Sequence, residues 1–490
     1  MRYGMPLALL TDLYQLTMAY GYWKLGRAEQ QAVFHLFFRK PPFNGGYAVT
    51  AGLAPALDFV EAFRFDPSDI EYLGSLTGND GEALFERDFL GYLAQLRLTC
   101  NLAAMPEGTV AFGHEPLLRV EGPMLQCQIL ETALLNIINF QTLIATKASR
   151  ICAATRGEPV IEFGLRRAQG IDGALAASRA AYIGGCVATS NVLAGKLYGI
   201  PVRGTHAHSW VMSFDSEEEA FEGYAQVLPN NCVFLVDTYD TLEGVRRAIV
   251  IGRRLHERGH KLVGIRLDSG DLAYLSIEAR KLLDDAGFPD AAIVATNDLD
   301  ERIIENLKLQ GAKIAVWGVG TRLATAYDQP ALGGVYKLGA IQDASGQWQS
   351  KLKLSEQIAK TSIPGILQVK RFIAADGTFV GDMIYDERLG IDPRQTIVAA
   401  DDHGREKRLA ASADSHDLLV PVMRNGQRTG EPEALSAVRD RALGQLARLH
   451  PAIRRFMNPH AFPAGIDVGL SELRDEIARQ MRGTSPATSD

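Results

Sequence analysis

Between Pro159 and Gly320, seven short apolar runs alternate with helix-like segments, and few folds accept a chain patterned this way. The runs cover 160–163, 186–188, 201–203, 232–236, 262–267, 292–295 and 314–317. The clearest helical segments between them are 241–258, 272–286 and 300–310. The later runs begin about 30 residues apart, the length of one strand–helix unit. They are continuously apolar rather than alternating, as strands buried on both faces must be. Strand and helix in strict alternation predict a parallel sheet. Seven units suit an open doubly wound sheet or a barrel. The preferred expectation is an α/β fold: an irregular, TIM-like parallel α/β barrel of about seven strands.

The flanks read differently. Residues 1–155 mix helices (near 13–20, 53–63 and 125–148) with short strands (33–38, 117–120) and a Pro/Gly loop at 41–46, which predicts an α+β N-terminal domain. The barrel is expected over 156–345. From Val335 the pattern shifts again, with strands near 335–341 and 368–373, a polar exposed stretch at 401–407, helices at 433–449 and 471–481, and a loose tail from Arg482; residues 346–490 are expected to form a C-terminal extension packing on the N-terminal domain and barrel. At 47% hydrophobic and 22% charged residues, the chain can bury a core throughout.

With 51 Lys and Arg against 58 Asp and Glu, the net charge of −7 argues against a nonspecific nucleic-acid partner. No stretch approaches the roughly 18 apolar residues of a membrane span. The apolar 5–10 segment is too short for a signal peptide. Five cysteines without a CxxC spacing read as reduced thiols, so a cytoplasmic location is expected.

The residues just after each apolar run carry the chemistry. In order the ends read Glu162-Phe163-Gly164-Leu165-Arg166-Arg167, Thr189-Ser190-Asn191, Gly204-Thr205-His206-Ala207-His208, Asp237-Thr238-Tyr239-Asp240, Arg266-Leu267-Asp268-Ser269-Gly270-Asp271, Thr296-Asn297-Asp298 and Gly318-Val319-Gly320-Thr321. In a barrel of parallel strands these ends converge on one face, where active sites form. One polar residue after a strand is most often a helix cap, but seven such ends in succession predict a site. Gly318–Thr321, at a late strand and before a helix, can cradle a phosphate, although a plain turn has the same look. No Gly-Lys-Ser/Thr comes after it, so it is not a Walker A loop. Asp268 and Asp271 can hold ribose hydroxyls or a hydrated Mg²⁺, and Arg266 offers a fork for a carboxylate or phosphate. An internal Arg–Asp pair with capping residues is the structural alternative. His206 and His208 alternate, and on a regular strand both would point to one side. That leaves open a metal-dependent hydrolase built on His206 and His208, a single histidine acting as acid, base or nucleophile, or two structural residues.

These motifs together resemble the nicotinate phosphoribosyltransferase family of the type II phosphoribosyltransferase fold. The resemblance starts at Leu10-Thr11-Asp12-Leu13-Tyr14-Gln15-Leu16-Thr17-Met18 and continues through Glu162–Gly170, Gly204–Ser209, Ile265–Asp271, Asn297–Glu301 and Trp317–Thr321 to Lys353-Leu354-Ser355 and Pro364-Gly365. It implies transfer of a phosphoribosyl group from 5-phosphoribosyl-1-pyrophosphate to nicotinate, giving nicotinate mononucleotide and pyrophosphate, coupled to ATP hydrolysis, with Mg²⁺ on the substrate pyrophosphate. On this resemblance His208 is the phosphorylated histidine, and His208, Asp268 and Asp271 form the catalytic set. Tyr14, Phe163, Arg166, Thr205 and Arg266 would bind nicotinate. Ser269, Gly270, Asn297, Gly318, Gly320 and Thr321 would hold the phosphoribosyl group and its phosphates. Tyr14 would come from a partner subunit, so the expected active form is a homodimer.

The chemistry of the residues agrees with that implication. Nicotinate is a flat aromatic carboxylate that suits aromatic faces and a guanidinium fork. Positive charge building on the ribose ring would be stabilised by Asp268 and Asp271, with Asp268 also a candidate contact for Mg²⁺. Within the fold the alternative is a nicotinamide enzyme. Ser190-Asn191 bears no carboxylate to repel an acid substrate, which favours nicotinate. A non-catalytic phosphosugar-binding protein would keep 318–321 without needing His208, Asp268 and Asp271 together.

Overall fold

The computed structural model describes residues 7–355, 361–400, 402–409 and 414–483. Contacts divide the chain into two compact units, Ile144–Pro330 and a second built from Met1–Leu143 with Ala331–Asp490.

The Ile144–Pro330 unit is a six-stranded parallel sheet with its helices placed after the strands. Its strands lie in the order Ala188–Thr189, Val160–Glu162, Val316–Val319, Ala292–Ala295, Gly264–Leu267 and Val233–Leu235. The first strand in sequence therefore pairs with the last, Trp317 opposite Val160 and Val319 opposite Glu162. A doubly wound sheet does not join its ends this way. The third expected strand shrinks to one bridge between Thr189 and Val202. Pro201 explains this in part, since it has no N–H to add to a ladder. Among the described residues no ladder joins Val202 to the strand Val233–Leu235, so the sheet is not closed there.

The helices of this unit begin where the sequence supplies a cap. Asn191, Ser216, Asp240, Asp271 and Asp300 each accept a hydrogen bond from a backbone N–H in the first turn of the next helix. The helices Thr241–Glu257, Leu272–Asp285 and Glu301–Leu309 end within two residues of the expected boundaries. Each buries one apolar face, as Val245, Ala248, Ile249 and Leu255 do on the first.

The other unit interleaves the two ends of the chain. A seven-stranded antiparallel sheet runs Trp348–Ser350, Gly334–Gln342, Gln31–Phe38, Leu118–Pro123, Asn101–Ala104, Val420–Arg424 and Gln427–Arg428. Gln31–Phe38 pairs with Gly334–Gln342 over most of its length. A six-stranded sheet is built around Leu367–Ile373 and Phe379–Asp386, the latter pairing in parallel with Ala464–Asp467. The helix expected over 125–148 is two, Met124–Ile129 and Glu131–Ala154. The polar 401–407 stretch overlaps the strand Asp402–Arg408, while Asp401 and tail residues 484–490 lie outside the described residues. No described helix is long and apolar enough to cross a membrane.

Candidate active site

Arg266, near the end of its strand, is the centre of the polar cluster in the Ile144–Pro330 unit. Its Nε donates to Thr296 Oγ1 at 3.0 Å and its second guanidinium nitrogen to Asp268 Oδ1 at 2.9 Å. The remaining terminal nitrogen donates to Thr205 Oγ1 at 3.0 Å and to the His206 carbonyl at 3.3 Å. Four of the five guanidinium N–H groups are thus spent within the protein. Arg266 joins three strand ends and keeps little capacity for a ligand in this state.

Asp268 is the second node. One oxygen accepts from Arg266 and, in a very short contact, from Thr296; the other stands 3.7 Å from His208 Nε2. Burial opposes its ionisation, but the Thr296 and Arg266 hydrogen bonds and the Arg266 charge outweigh it and hold the carboxyl below the usual range. His208 opens the short helix His208–Met212, with Nδ1 3.2 Å from Thr238 Oγ1 and a side chain 39% exposed. An imidazole held between a hydroxyl and a carboxylate, yet open to solvent, can exchange a proton or accept a transferred group.

Asp237 positions the loop after Asp268. Its Oδ2 accepts from the Asp268 N–H at 2.8 Å and from Ser269 Oγ at 2.7 Å, while its buried Oδ1 has no hydrogen-bond partner. A carboxylate oxygen left free beside Asp268 matches the oxygen donors a hydrated Mg²⁺ accepts. Gly270 adopts φ +78°, a left-handed conformation that favours glycine. Asp271 Oδ1 is engaged as the cap of Leu272–Asp285, bonded to the Tyr274 N–H.

At the neighbouring strand ends, the Phe163 ring lies on Gly318, where a Cβ would stand 2.7 Å from two ring carbons. Gly318 is thus inside the strand Val316–Val319 as the seat of that ring. Gly320 caps the four-residue helix Thr321–Ala324, and Gly164 abuts Ala324 and the Gly320 carbonyl so closely that no side chain fits. Asn297 adopts φ +111°, an unusual value for a residue with a side chain, and its Oδ1 accepts from the Asp298 N–H. Arg166 sits exposed in the 3-10 turn Leu165–Arg167. Tyr14 belongs to the other unit, where it is 48% exposed on Leu13–Lys24 beside the exposed Leu10, Leu13 and Met18.

His206 departs from the expectation that it shares a side with His208. The chain leaves extended pairing after Val202, so the alternation of a regular strand does not apply. His206 turns inward among Phe221, Tyr224 and Phe234. Its Nε2 accepts the Leu235 N–H at 3.2 Å, and its Nδ1 faces the Ala207 carbonyl. The imidazole thereby joins its loop to the strand Val233–Leu235 as a neutral tautomer and is unavailable as a metal ligand. Among the described residues no group of three or more His, Cys, Asp or Glu side chains is arranged to hold a metal ion.

Burial lowers His206 to about 4, and His35, whose Nε2 accepts the Leu367 N–H at 3.1 Å, to about 3. Because both folded values lie below the unfolded 6.5, the unfolded chain binds the extra protons first. The contribution of these two histidines to stability is therefore fully present above pH 6.5 and falls as pH drops from there toward 4, by on the order of 3 kcal/mol for His206. Denaturant titrations at pH 7 and pH 4.5 should show His206→Gln losing less stability between the two than the parent. An unchanged difference would refute the assignment.

Residues 9–139 match the nicotinate phosphoribosyltransferase (NAPRTase) N-terminal domain and residues 367–474 the corresponding C-terminal domain. The chain is 44% identical over 472 residues to a nicotinate phosphoribosyltransferase of Bacillus subtilis, spanning 95% of this chain and 93% of that one. It belongs to the nicotinate phosphoribosyltransferase family. The crystal structure of human nicotinic acid phosphoribosyltransferase superposes with a TM-score of 0.83 at 32% identity, covering 95% of this chain and 99% of the human one. A nicotinate-nucleotide pyrophosphorylase from Pyrococcus furiosus shares the fold, with a TM-score of 0.67 at 22% identity over 90% of this chain and 96% of its own.

Within this nicotinate phosphoribosyltransferase family member, three side chains that hold the cluster together escaped assignment from the sequence. Asp237, Thr238 and Thr296 organise Asp268, Ser269, His208 and Arg266. Their signal was present, since each is a polar residue at the end of an apolar run. Which of many such residues face one another is not written in the string. Ser190 and Asn191 bring no carboxylate, and the Asn191 side chain is committed to capping its helix and to Ser178 Oγ.

Proposed function

We propose that this chain joins nicotinate to 5-phosphoribosyl-1-pyrophosphate, forming nicotinate mononucleotide and pyrophosphate for NAD biosynthesis, with ATP hydrolysis coupled through phosphorylation of His208. The observation that carries the reading is the cluster of His208, Asp268 and Arg266 at parallel strand ends. In this reading the strands form an irregular barrel, supported by pairing of the first strand with the last and by the His206 bond to the Leu235 backbone.

Nicotinate would lie on the open face of Phe163, the other being taken by Gly318. Its carboxylate would meet Arg166, Thr205 and the remaining N–H of Arg266, and Tyr14 of a partner subunit would cover it. The exposed apolar residues around Tyr14 support a homodimer. Ser269, Gly270 and Asn297 would face the phosphoribosyl group, and Gly320 and Thr321 its 5-phosphate. Asp268 and Asp271 would face the ribose as it becomes positively charged. Mg²⁺ arriving with the pyrophosphate would find Asp268 and Asp237 as carboxylate contacts and would neutralise the leaving group. Phosphorylation would place negative charge and acceptor oxygens beside this cluster, favouring a state that holds the donor more tightly. Free thiols at all five cysteines support a cytoplasmic location.

The deciding assay is pyrophosphate release with Mg²⁺, donor and either nicotinate or nicotinamide, each with and without ATP. Release with nicotinate should be stimulated by ATP and be much weaker with nicotinamide, and His208→Ala should abolish the stimulation. Preference for nicotinamide would overturn the substrate, and stimulation surviving His208→Ala would overturn the phosphohistidine.

A further inference from the structure

Asp300 divides its two oxygens between two tasks. Oδ1 accepts the Arg302 and Ile303 N–H groups at 3.0 and 2.8 Å and so caps Glu301–Leu309. Oδ2 accepts from Arg322 at 2.6 Å. Asp300 ends the loop that contains Asn297, and Arg322 comes directly after Thr321, so this ion pair ties together two of the strand-end loops. Asp300 is 2% exposed. Next to it Glu301 is fully buried, accepting from Arg150 Nε at 2.8 Å, with Lys147 Nζ 2.7 Å from its other oxygen in a contact of charges that lacks hydrogen-bond alignment.

Ion pairs in an interior seldom add net stability, because desolvation offsets the attraction. Buried carboxylates paired at two successive positions, 300 and 301, call for a positional explanation, and the backbone provides one. Asn297 holds φ +111°, a conformation that persists only when its surroundings enforce it. We infer that Asp300 and Arg322 are positioning residues: their ion pair sets the separation of the Asn297 loop from the Gly320–Thr321 loop and thereby the affinity for the phosphorylated ribose. The inference rests on the function proposed above, which places that group between these loops.

Asparagine caps helices as well as aspartate does, so Asp300→Asn keeps the cap and removes only the charged half of the pair. In the full-length protein it should raise the KM for 5-phosphoribosyl-1-pyrophosphate roughly tenfold, leaving kcat within about twofold and the nicotinate KM unchanged. Calorimetric titration with ribose 5-phosphate should show the same loss of affinity. Arg322→Gln should match it, and the double variant should be no worse than either alone.

Binding of ribose 5-phosphate at parental affinity by Asp300→Asn, or equal rises in both KM values, would overturn the inference while leaving the function intact. If the parent releases no pyrophosphate yet Asp300→Asn still weakens ribose 5-phosphate binding, the positioning role stands and the proposed reaction falls. A parent that neither turns over nor binds ribose 5-phosphate would overturn both.

Discussion

Replacing Asp268 by asparagine is expected to lower turnover by two to three orders of magnitude, about 3–4 kcal/mol of transition-state stabilisation, in a protein that still folds. Asparagine preserves the outline of the side chain, and its oxygen can still accept from Arg266 or Thr296. It cannot balance the Arg266 charge, of which only 15% of the side chain is exposed, nor attract His208 Nε2 at 3.7 Å. It also removes the negative charge proposed to face the ribose as cationic character develops. The measurement is kcat at saturating nicotinate and donor with ATP present, alongside a thermal unfolding midpoint. A fall of less than tenfold would limit Asp268 to holding Arg266.

The second large effect concerns stability. Arg371 and Asp382 are both fully buried, and the guanidinium grips the carboxylate at 2.9 and 2.5 Å. It also donates to the Val110 carbonyl at 2.7 Å and to Gln445 Oε1 at 3.0 Å, and lies over the Phe379 ring at 4.4 Å. Glu115 shares the pocket; burial and the Asp382 charge push it well above the carboxylate range, against the pull of Arg371. Arg371→Met would fill much of the space but leave the Asp382 charge without its counter-ion. The expected cost is about 3–5 kcal/mol, read from denaturant unfolding. Adding Asp382→Leu should recover much of it, since an apolar pair removes both charges together. Arg394 offers the contrast. It pairs with Asp392 and Glu472 at the surface, where solvent screens the charges, and Arg394→Ala should leave the unfolding midpoint nearly unchanged. If Arg371→Met were as mild, the buried pair would have to be partly hydrated in solution.

Much of the fold was legible because it depends on local pattern. Continuous apolar runs separated by amphipathic stretches mark parallel strands and their helices, and Asn191, Asp240, Asp271 and Asp300 mark where the helices start. The reading faltered where local pattern is a poor guide. The run at 201–203 has the composition of a strand, but Pro201 leaves it with a single bridge. His206 and His208 have the spacing of same-side residues, yet one enters an aromatic core and the other opens a helix. The interleaving of 1–143 with 331–490 joins strands about three hundred residues apart, such as Phe34 with Leu338, and no short window contains both partners.

The sequence by itself determined the class of fold, the kinds of chemical group at each strand end and membership of the family, because periodicity, caps and ordered motifs are properties of neighbours along the chain. Only the tertiary structure decided how those groups spend their hydrogen bonds. Arg266 turned out to be largely occupied by Thr205, Thr296 and Asp268; Gly318 became the seat of the Phe163 ring; and His206 became a bridge to the Leu235 backbone. A donor or acceptor offers the same capacity wherever it sits in the string, and its role is set by which partner lies within about 3 Å once the chain has folded.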